Sequence, residues 1–262
     1  LLYKLERYKV HKQILKWIKN YLKDRTFRVR LNEEHSEALR VESGVPQGSV
    51  LGPVLFLIYI NDICTVCENM FLFADDAKIF KVLSSKDDCS RLQNDINRVV
   101  EWFNRWQMQV NIGKCCLLHV GGKHFINKYH LIDLDGTTCE IPTIESVSDL
   151  GIIMDSKLQF KEHILSRVKK ANMMLGIIAR NFRKLSDEAF ITLYKALVRS
   201  QLEYGVQVWN PYRQGLIDAV ERVQRRATKL RPSCVGMPYE MRLRKLKLPT
   251  LKYRRIRADL IL

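Results

Sequence analysis

Met70-Phe71-Leu72-Phe73-Ala74-Asp75-Asp76-Ala77-Lys78-Ile79-Phe80-Lys81-Val82-Leu83 is the stretch that decides the fold. It reads as strand, tight turn, strand, with Ala74-Asp75-Asp76 as the turn. Adjacent carboxylates repel, and each raises the other's pKa unless a cation lies between them. A pair held at a hairpin tip therefore predicts a divalent-metal site. Mg²⁺ suits it best, because it takes a few carboxylates together with substrate phosphates. Successive strand residues point to opposite faces, so only one of the two is the main ligand. Asp75 is assigned that part and Asp76 the supporting one. Aspartate is also common in plain exposed turns, and the hairpin alone leaves that alternative open.

A second segment lies about thirty residues upstream, Gly44-Val45-Pro46-Gln47-Gly48-Ser49. Gly48 lets backbone approach a base pair, and Gln47 offers donors and an acceptor. Ser49 caps a predicted helix over 50–60, whose N-terminus favours phosphate, and Pro53 is tolerable in its first turn. A nucleotide-facing turn followed by a metal-binding hairpin points to nucleic-acid polymerisation.

With 262 residues, 47% of them apolar and 9% aromatic, the chain can bury the core of one large domain or two modest ones. Its longest apolar run, 50–60, is broken at Gly52-Pro53 and falls well short of the roughly twenty residues that span a bilayer. Seven cysteines without framework spacing fit a reducing compartment, nucleus or cytoplasm rather than secretion. Cys64-Thr65-Val66-Cys67 is a lone CxxC without the second half of a zinc site. The first residues resemble the inside of an amphipathic helix and the last lie in an apolar stretch, so the chain is expected to be part of something longer.

Charge is unevenly placed. Residues 1–160 carry 21 Lys and Arg against 20 Asp and Glu, whereas residues 161–262 carry 23 against 8. An excess of +15 over the second part predicts a polyanionic partner, and nucleic acid fits better than lipid because the basic helices also carry a full core face.

Periodicity predicts a helix over 1–23, a half-buried strand at 26–31 with Phe27, Val29 and Leu31 inward, a turn at 32–36 and a returning strand at 39–41. After the hairpin comes a helix over 87–106. Strands at 109–120 and 129–134, joined through Gly121-Gly122, and a short strand at 147–154 follow. From about 160 the pattern is helical. Ile164, Val168, Ala171, Leu175 and Ile178 form one inward face. Ser186 caps a second helix that turns Phe190, Leu193, Tyr194 and Leu197 inward. A third helix, 216–230, buries Ile217, Val220, Val223 and Ala227, and presents Arg222, Arg225, Arg226 and Lys229 as a cationic stripe. A second basic cluster runs from Arg242 to Arg257. The expected fold class is α+β, with a boundary near 156–162.

The run from Gly44 to Pro53, followed by Leu55-Phe56-Leu57-Ile58-Tyr59-Ile60-Asn61-Asp62 and Phe73-Ala74-Asp75-Asp76, resembles the reverse transcriptases of non-LTR, jockey-like retrotransposons. The resemblance extends through Trp102–Gly121, Asp149-Leu150-Gly151-Ile152, Tyr194-Lys195-Ala196-Leu197-Val198, Leu202-Glu203-Tyr204-Gly205, Trp209-Asn210-Pro211-Tyr212 and Val223-Gln224-Arg225-Arg226-Ala227. It implies a right-hand polymerase palm over 1–160, an antiparallel sheet with helices, then a helical thumb over 161–262. The implied activity is RNA-directed DNA synthesis by two-metal phosphoryl transfer, with Mg²⁺ or alternatively Mn²⁺ at Asp75 and Asp76.

By the same resemblance, Pro46, Gln47, Gly48, Phe73 and Ala74 contact the nucleotide, and Lys114 protonates the leaving pyrophosphate. Gly151 grips the primer end. Arg222, Arg225, Arg226 and Lys229 lie on the template–primer backbone. The implied partners are an RNA template with a DNA primer and dNTPs, with no membrane and no oligomer. The family's further metal-binding aspartate has no counterpart in residues 1–30, whose acids are Glu6 and Asp24. The isolated chain is therefore expected to be inactive. A truncated copy that only binds nucleic acid is the competing reading.

Overall fold

A computed structural model describes residues 1–122, 127–132, 135–182 and 184–261. The chain is mixed helix and sheet, and it divides into two compact units. One comprises 1–115 with 124–141, and the other 116–123 with 142–262. The composition boundary near 156–162 falls inside the second unit.

The first unit opens with two helices where one was expected, α1 (Leu2–Arg7) and α2 (Lys12–Leu22). The break comes at Lys9, whose φ of 58° no helix accommodates. Leu5 and Ile18 then pack with Leu55 in one cluster. Four two-residue strands follow: β1 (Thr26–Phe27), β2 (Arg30–Leu31), β3 (Glu34–His35) and β4 (Leu39–Arg40), with β1 on β4 and β2 on β3. The alternation at 26–31 does not mark a buried face here. Phe27, Val29 and Leu31 are all exposed, because this ribbon packs on no core.

Helix α3 (Leu51–Ile60) runs between two clusters. Leu55 belongs to the first, while Ile60 joins Ile63, Cys67, Met70, Val99 and Trp102 in the second. On that second cluster rest β5 (Met70–Phe73) and β6 (Asp76–Ile79), with the long helix α4 (Lys86–Arg105). Ser85 starts α4 with a reciprocal capping box to Asp88. The expected strand at 109–120 is mostly irregular, holding a 3-10 turn at Ile112–Lys114 and β7 (Leu117–Leu118). Its expected partner is β8 (His130–Ile132), but β8 pairs with β9 (Thr138–Glu140), whereas β7 pairs in parallel with β10 (Thr143–Ile144). Asp133 and Leu134, the end of the expected 129–134 strand, lie outside the described residues.

In the second unit the single strand expected at 147–154 is a hairpin, β11 (Ser146–Asp149) and β12 (Ile152–Asp155). Leu150 and Gly151 both have positive φ, 44° and 80°, as a two-residue turn between twisted strands needs. Helix α5 (Lys161–Asn181) buries Ile164, Ala171, Leu175 and Ile178 as its period predicts. Helix α6 (Asp187–Leu193) is capped by Ser186 and continues as a π-turn over Tyr194–Val198. That wider turn rotates Val198 into the core and leaves Leu197 outside, against the expected register.

Helices α7 (Val206–Trp209), α8 (Gln214–Lys229), α9 (Tyr239–Lys245) and α10 (Leu251–Ile261) complete the unit. One large cluster unites α5, α6 and α8 with Trp209, Leu243 and Leu251. Among the described residues all sheets are two-stranded, and no helix is long and apolar enough to cross a membrane.

Candidate functional site

Phe73 pairs with Asp76, so the β5–β6 turn consists of Ala74 and Asp75 alone, and Asp76 begins the returning strand. Ala74 takes φ 53° to close it. Pairing and alternation set two faces. Met70, Leu72 and Ile79 rest on the second cluster, whereas Phe71, Phe73, Asp76 and Lys78 share the other face. On that open face Phe71 stacks on Phe80 at 5.2 Å, and Phe73 is exposed. Asp75 and Asp76 are both exposed at the tip. Their oxygen donors suit a hard divalent cation that keeps water and phosphate oxygens as its other ligands. No group of three or more His, Cys, Asp or Glu residues arranged to hold a metal occurs among the described residues.

The upstream turn is built by its own backbone. Ser49 Oγ donates to Pro46 O at 2.7 Å and accepts from Gly52 N at 2.9 Å, so it ties the turn to the first turn of α3. Gly48 has φ 77° and open space around it. Gln47 and Gly48 are exposed, and Pro46 is half-buried. Gly52, which sequence reasoning passed over, is what permits this packing. A Cβ there would lie 2.7 Å from Pro46 O. Lys114 is exposed at the end of its 3-10 turn, where its amide bonds Asn111 O at 3.0 Å.

Gly151, in the β11–β12 turn, is surrounded by side chains of its own unit. Tyr204 Oη donates to Leu150 O at 2.8 Å, and Arg167 donates to Gly151 O. Below them His163, fully buried, accepts the Ile153 amide through Nδ1 at 3.1 Å and lies 5.4 Å from the Trp209 ring. Burial, with Arg167 and Lys170 nearby, pushes the His163 pKa down to about 4, so the ring is neutral.

On α8 the stripe is where the period put it. Arg222, Arg225, Arg226 and Lys229 are exposed, while Val220, Val223 and Ala227 are buried. Arg225 lies over the Tyr239 ring at 5.0 Å, Arg226 donates to Asn172 Oδ1 at 3.3 Å, and Arg222 Nε donates to Asp218 O at 3.3 Å, so all three guanidinium groups are held. Ile217 is only half-buried.

Part of the second basic cluster turns inward. Arg242 and Arg255 are 4% and 2% exposed, and burial lowers the Arg255 pKa. Arg254 forms a bidentate pair with Glu203. Arg242 donates to Arg225 O and Arg254 pairs with Glu203, so both tie helices together, while Arg255 is buried among them. Sequence periodicity also missed the polar core beneath the stripe. Tyr194 Oη donates to Gln224 Oε1 at 2.8 Å, Gln224 Nε2 reaches Pro249 O at 3.0 Å, and Glu221 accepts the amides of Leu251 and Lys252 at the start of α10.

The family profile described as Reverse transcriptase (RNA-dependent DNA polymerase) matches residues 1–177. The RNA-directed DNA polymerase from mobile element jockey of Drosophila melanogaster is 31% identical over 270 residues, covering 96% of this chain and 28% of that protein. Its counterpart from Drosophila funebris is 30% identical, covering 90% and 26%. The probable RNA-directed DNA polymerase from transposon X-element of Drosophila melanogaster is 27% identical, covering 89% and 26%. The chain thus spans about a quarter of the length of these relatives. It belongs to the reverse transcriptase family, on the branch of the non-LTR retrotransposon polymerases.

Proposed function

We infer that the chain is the palm and thumb portion of an RNA-directed DNA polymerase that copies retrotransposon RNA into DNA. Residues 1–160 are assigned to the palm and 161–262 to the thumb. The observation that carries this reading is the two-residue turn. It fixes Asp75 and Asp76 at the open end of a hairpin whose other end is locked in a core. Asp75 and Asp76 would hold Mg²⁺, which would supply activation of the primer 3′-hydroxyl and neutralisation of the leaving pyrophosphate.

The chain's own residues do the rest. Asp75 and Asp76 hold charge at a rigid point, and Phe73 offers an apolar wall on the same face as Asp76. Pro46, Gln47 and Gly48 press backbone and an amide against the nascent base pair. Lys114 delivers a proton to pyrophosphate. Gly151 contacts the primer end, and Arg222, Arg225, Arg226 and Lys229 hold phosphates without reading sequence. A third carboxylate beside Asp75 and Asp76 would complete the metal site.

Primer extension tests this reading. The 262 residues alone are expected to bind template–primer duplex and to synthesise nothing with Mg²⁺ or Mn²⁺. In the longer protein, Asp75→Asn is expected to cut extension by at least about a hundredfold, in line with losing a charged group that acts in the transition state. Duplex affinity should be unchanged. Normal extension by Asp75→Asn would remove the hairpin from the chemistry. A catalytically inactive element copy that keeps only nucleic-acid binding is the second reading, and the α8 stripe favours it because that surface is complete within the chain.

A further inference from the structure

Trp17 on α2 is exposed, yet its ring is already fixed. It stacks on Tyr21 one turn later, with centroids 5.6 Å apart and planes 9° from parallel. Tyr21 is half-buried and carries the Arg25 guanidinium over its ring at 5.2 Å, and the same guanidinium donates to Tyr21 O at 3.2 Å. Trp17, Tyr21 and Arg25 thus form a ladder of three flat groups braced from one end. The helix beneath is anchored through Ile18, buried with Leu5 and Leu55. Trp17 remains 55% exposed, so the indole face turned away from Tyr21 is open to solvent. Ordering it on binding costs little further entropy.

Helix α2 contains no acidic residue, and its cations and aromatics occupy different rows. At about 100° per residue, Lys12, Lys16 and Lys19 fall within about 60° of one another, and Trp17 lies about 130° around the helix from the middle of that row. All three lysines are exposed. Gln13 and Asn20, also exposed, lie between the two rows.

A row of cations beside a fixed aromatic step fits a chain with phosphates along one edge and flat bases along the other. Bases inside a duplex have both faces covered by their neighbours, so the occupant is single-stranded. The amides of Gln13 and Asn20 fall at the level of the sugars, where each can bond a 2′-hydroxyl. We propose that the outward face of α2 is a binding site for single-stranded RNA. One base stacks on Trp17, and Lys12, Lys16 and Lys19 take the phosphates. The surface shares no residue with the Asp75-Asp76 hairpin, the Pro46–Ser49 turn or the α8 stripe, so it does not depend on the polymerase reading.

Three labelled probes test it on the whole chain: an oligouridylate of about twelve nucleotides, enough for one site, its deoxyuridine counterpart, and an RNA duplex closed by loops at both ends. Trp17 is the only exposed one of the four tryptophans, so acrylamide quenching of tryptophan emission reports on it. The oligouridylate is expected to bind and to shield Trp17. Trp17→Leu should weaken that binding by about tenfold, the size of effect that one base–aromatic stack gives, and Trp17→Phe should stay within about threefold. Neither should alter affinity for the closed duplex. Changing Lys12, Lys16 and Lys19 to Gln should flatten the salt slope for the oligouridylate by about two.

Equal affinity for the deoxyuridine probe would overturn the assignment to RNA. Equal losses for Phe and Leu would mean that the indole only packs, and an unshielded Trp17 with the oligouridylate bound would put the strand elsewhere on the chain. Self-association that depends on Trp17, seen in sedimentation without shielding by RNA, would make this face a protein interface. Each of these overturns the proposal, and closed-duplex binding retained alongside leaves the polymerase reading standing. The shielding measurement on the wild type needs no variant, so misfolding of Trp17→Leu does not remove the test.

Discussion

Lys4 Nζ lies 2.6 Å from Asp62 Oδ1, although the lysine is only 4% exposed. It also donates to Tyr59 O at 2.5 Å and sits 3.8, 4.5 and 4.8 Å from the Trp106, Trp102 and Tyr59 ring centroids. An amphipathic reading puts this lysine on the solvent face of a first helix. The structure instead makes it the post on which α1 docks. Lys4→Ala removes the ion pair and the cation–π contacts and leaves a hole, a loss of about 3 kcal/mol. Lys4→Met, which refills the volume, should cost less than half as much. Urea unfolding followed by tryptophan emission measures both. A Lys4→Ala variant as stable as wild type would show that the aromatic cage contributes nothing.

Gly52 holds the Pro46–Ser49 turn in shape by leaving room for it. A methyl group at this position meets Pro46 O at 2.7 Å and Ser49 Oγ at 2.9 Å, and the first of these is backbone. Gly52→Ala must therefore push the turn away from α3, at a cost of about 1–3 kcal/mol. The amide resonances of Gln47 and Gly48 should shift in the variant. Gly48→Ala differs in kind. Nothing lies near its Cβ, and only the φ of 77° resists, for about 1 kcal/mol. Unshifted amides in Gly52→Ala would detach Gly52 from the turn.

The elements legible in the sequence were those whose signal is local. Ser186 caps α6, the period of α5 names its buried face, and the apolar flanks of Asp75-Asp76 give the hairpin. Misread elements depend on distant partners. Leu150-Gly151 lacks the Asn or Asp that usually announces a two-residue turn, and its positive φ at Leu150 is held by Tyr204 and Arg167. The ribbon at β1–β4 alternates like a buried strand but meets no core. Arg242, Arg255 and His163 carry polar labels that a pattern reading sends to the surface, and each is buried. For the site, identity and order of the motifs were legible. Gly52, Tyr204 and Arg167, which shape them, were visible only in space.

His163 should make folding sensitive to mild acid. Its pKa is about 4 when folded and near 6.5 when unfolded, so the unfolded chain takes up the proton first. The stability that neutral His163 contributes is complete above about pH 6.5. It is lost as pH falls toward 4, by about 3 kcal/mol, and levels off below that. His163→Gln should flatten this part of the profile, measured as urea midpoints between pH 7 and 4. An equally steep profile in the variant would assign the acid sensitivity to other groups.

Gly176 lies inside α5, half-buried, with nothing within 4 Å of its missing Cβ. Neither packing nor backbone conformation asks for glycine there. Gly176→Ala should stabilise the chain by about 0.5–1 kcal/mol through helix propensity, seen as a higher thermal midpoint. A loss of duplex affinity in this variant, with the fold more stable, would show instead that a ligand approaches the helix backbone at this point.

The α8 stripe makes a quantitative claim about salt. Every phosphate neutralised adds roughly 0.7–0.9 to the slope of log affinity against log salt. Reversing Arg222, Arg225 and Arg226 to Glu should therefore flatten that slope by about two to three. The inward cations serve as the control. Arg242 is 4% exposed and donates to Arg225 O, so Arg242→Met should lower stability while leaving the slope as it was. A slope that responds to Arg242 and not to the stripe would place the phosphates elsewhere on the unit. Arg225 and Arg226 are already braced by Tyr239 and Asn172, which reduces the entropy lost when a phosphate binds. Lys229, with no such brace among the described residues, should therefore contribute less to affinity than either arginine, and single substitutions to alanine would rank them in that order.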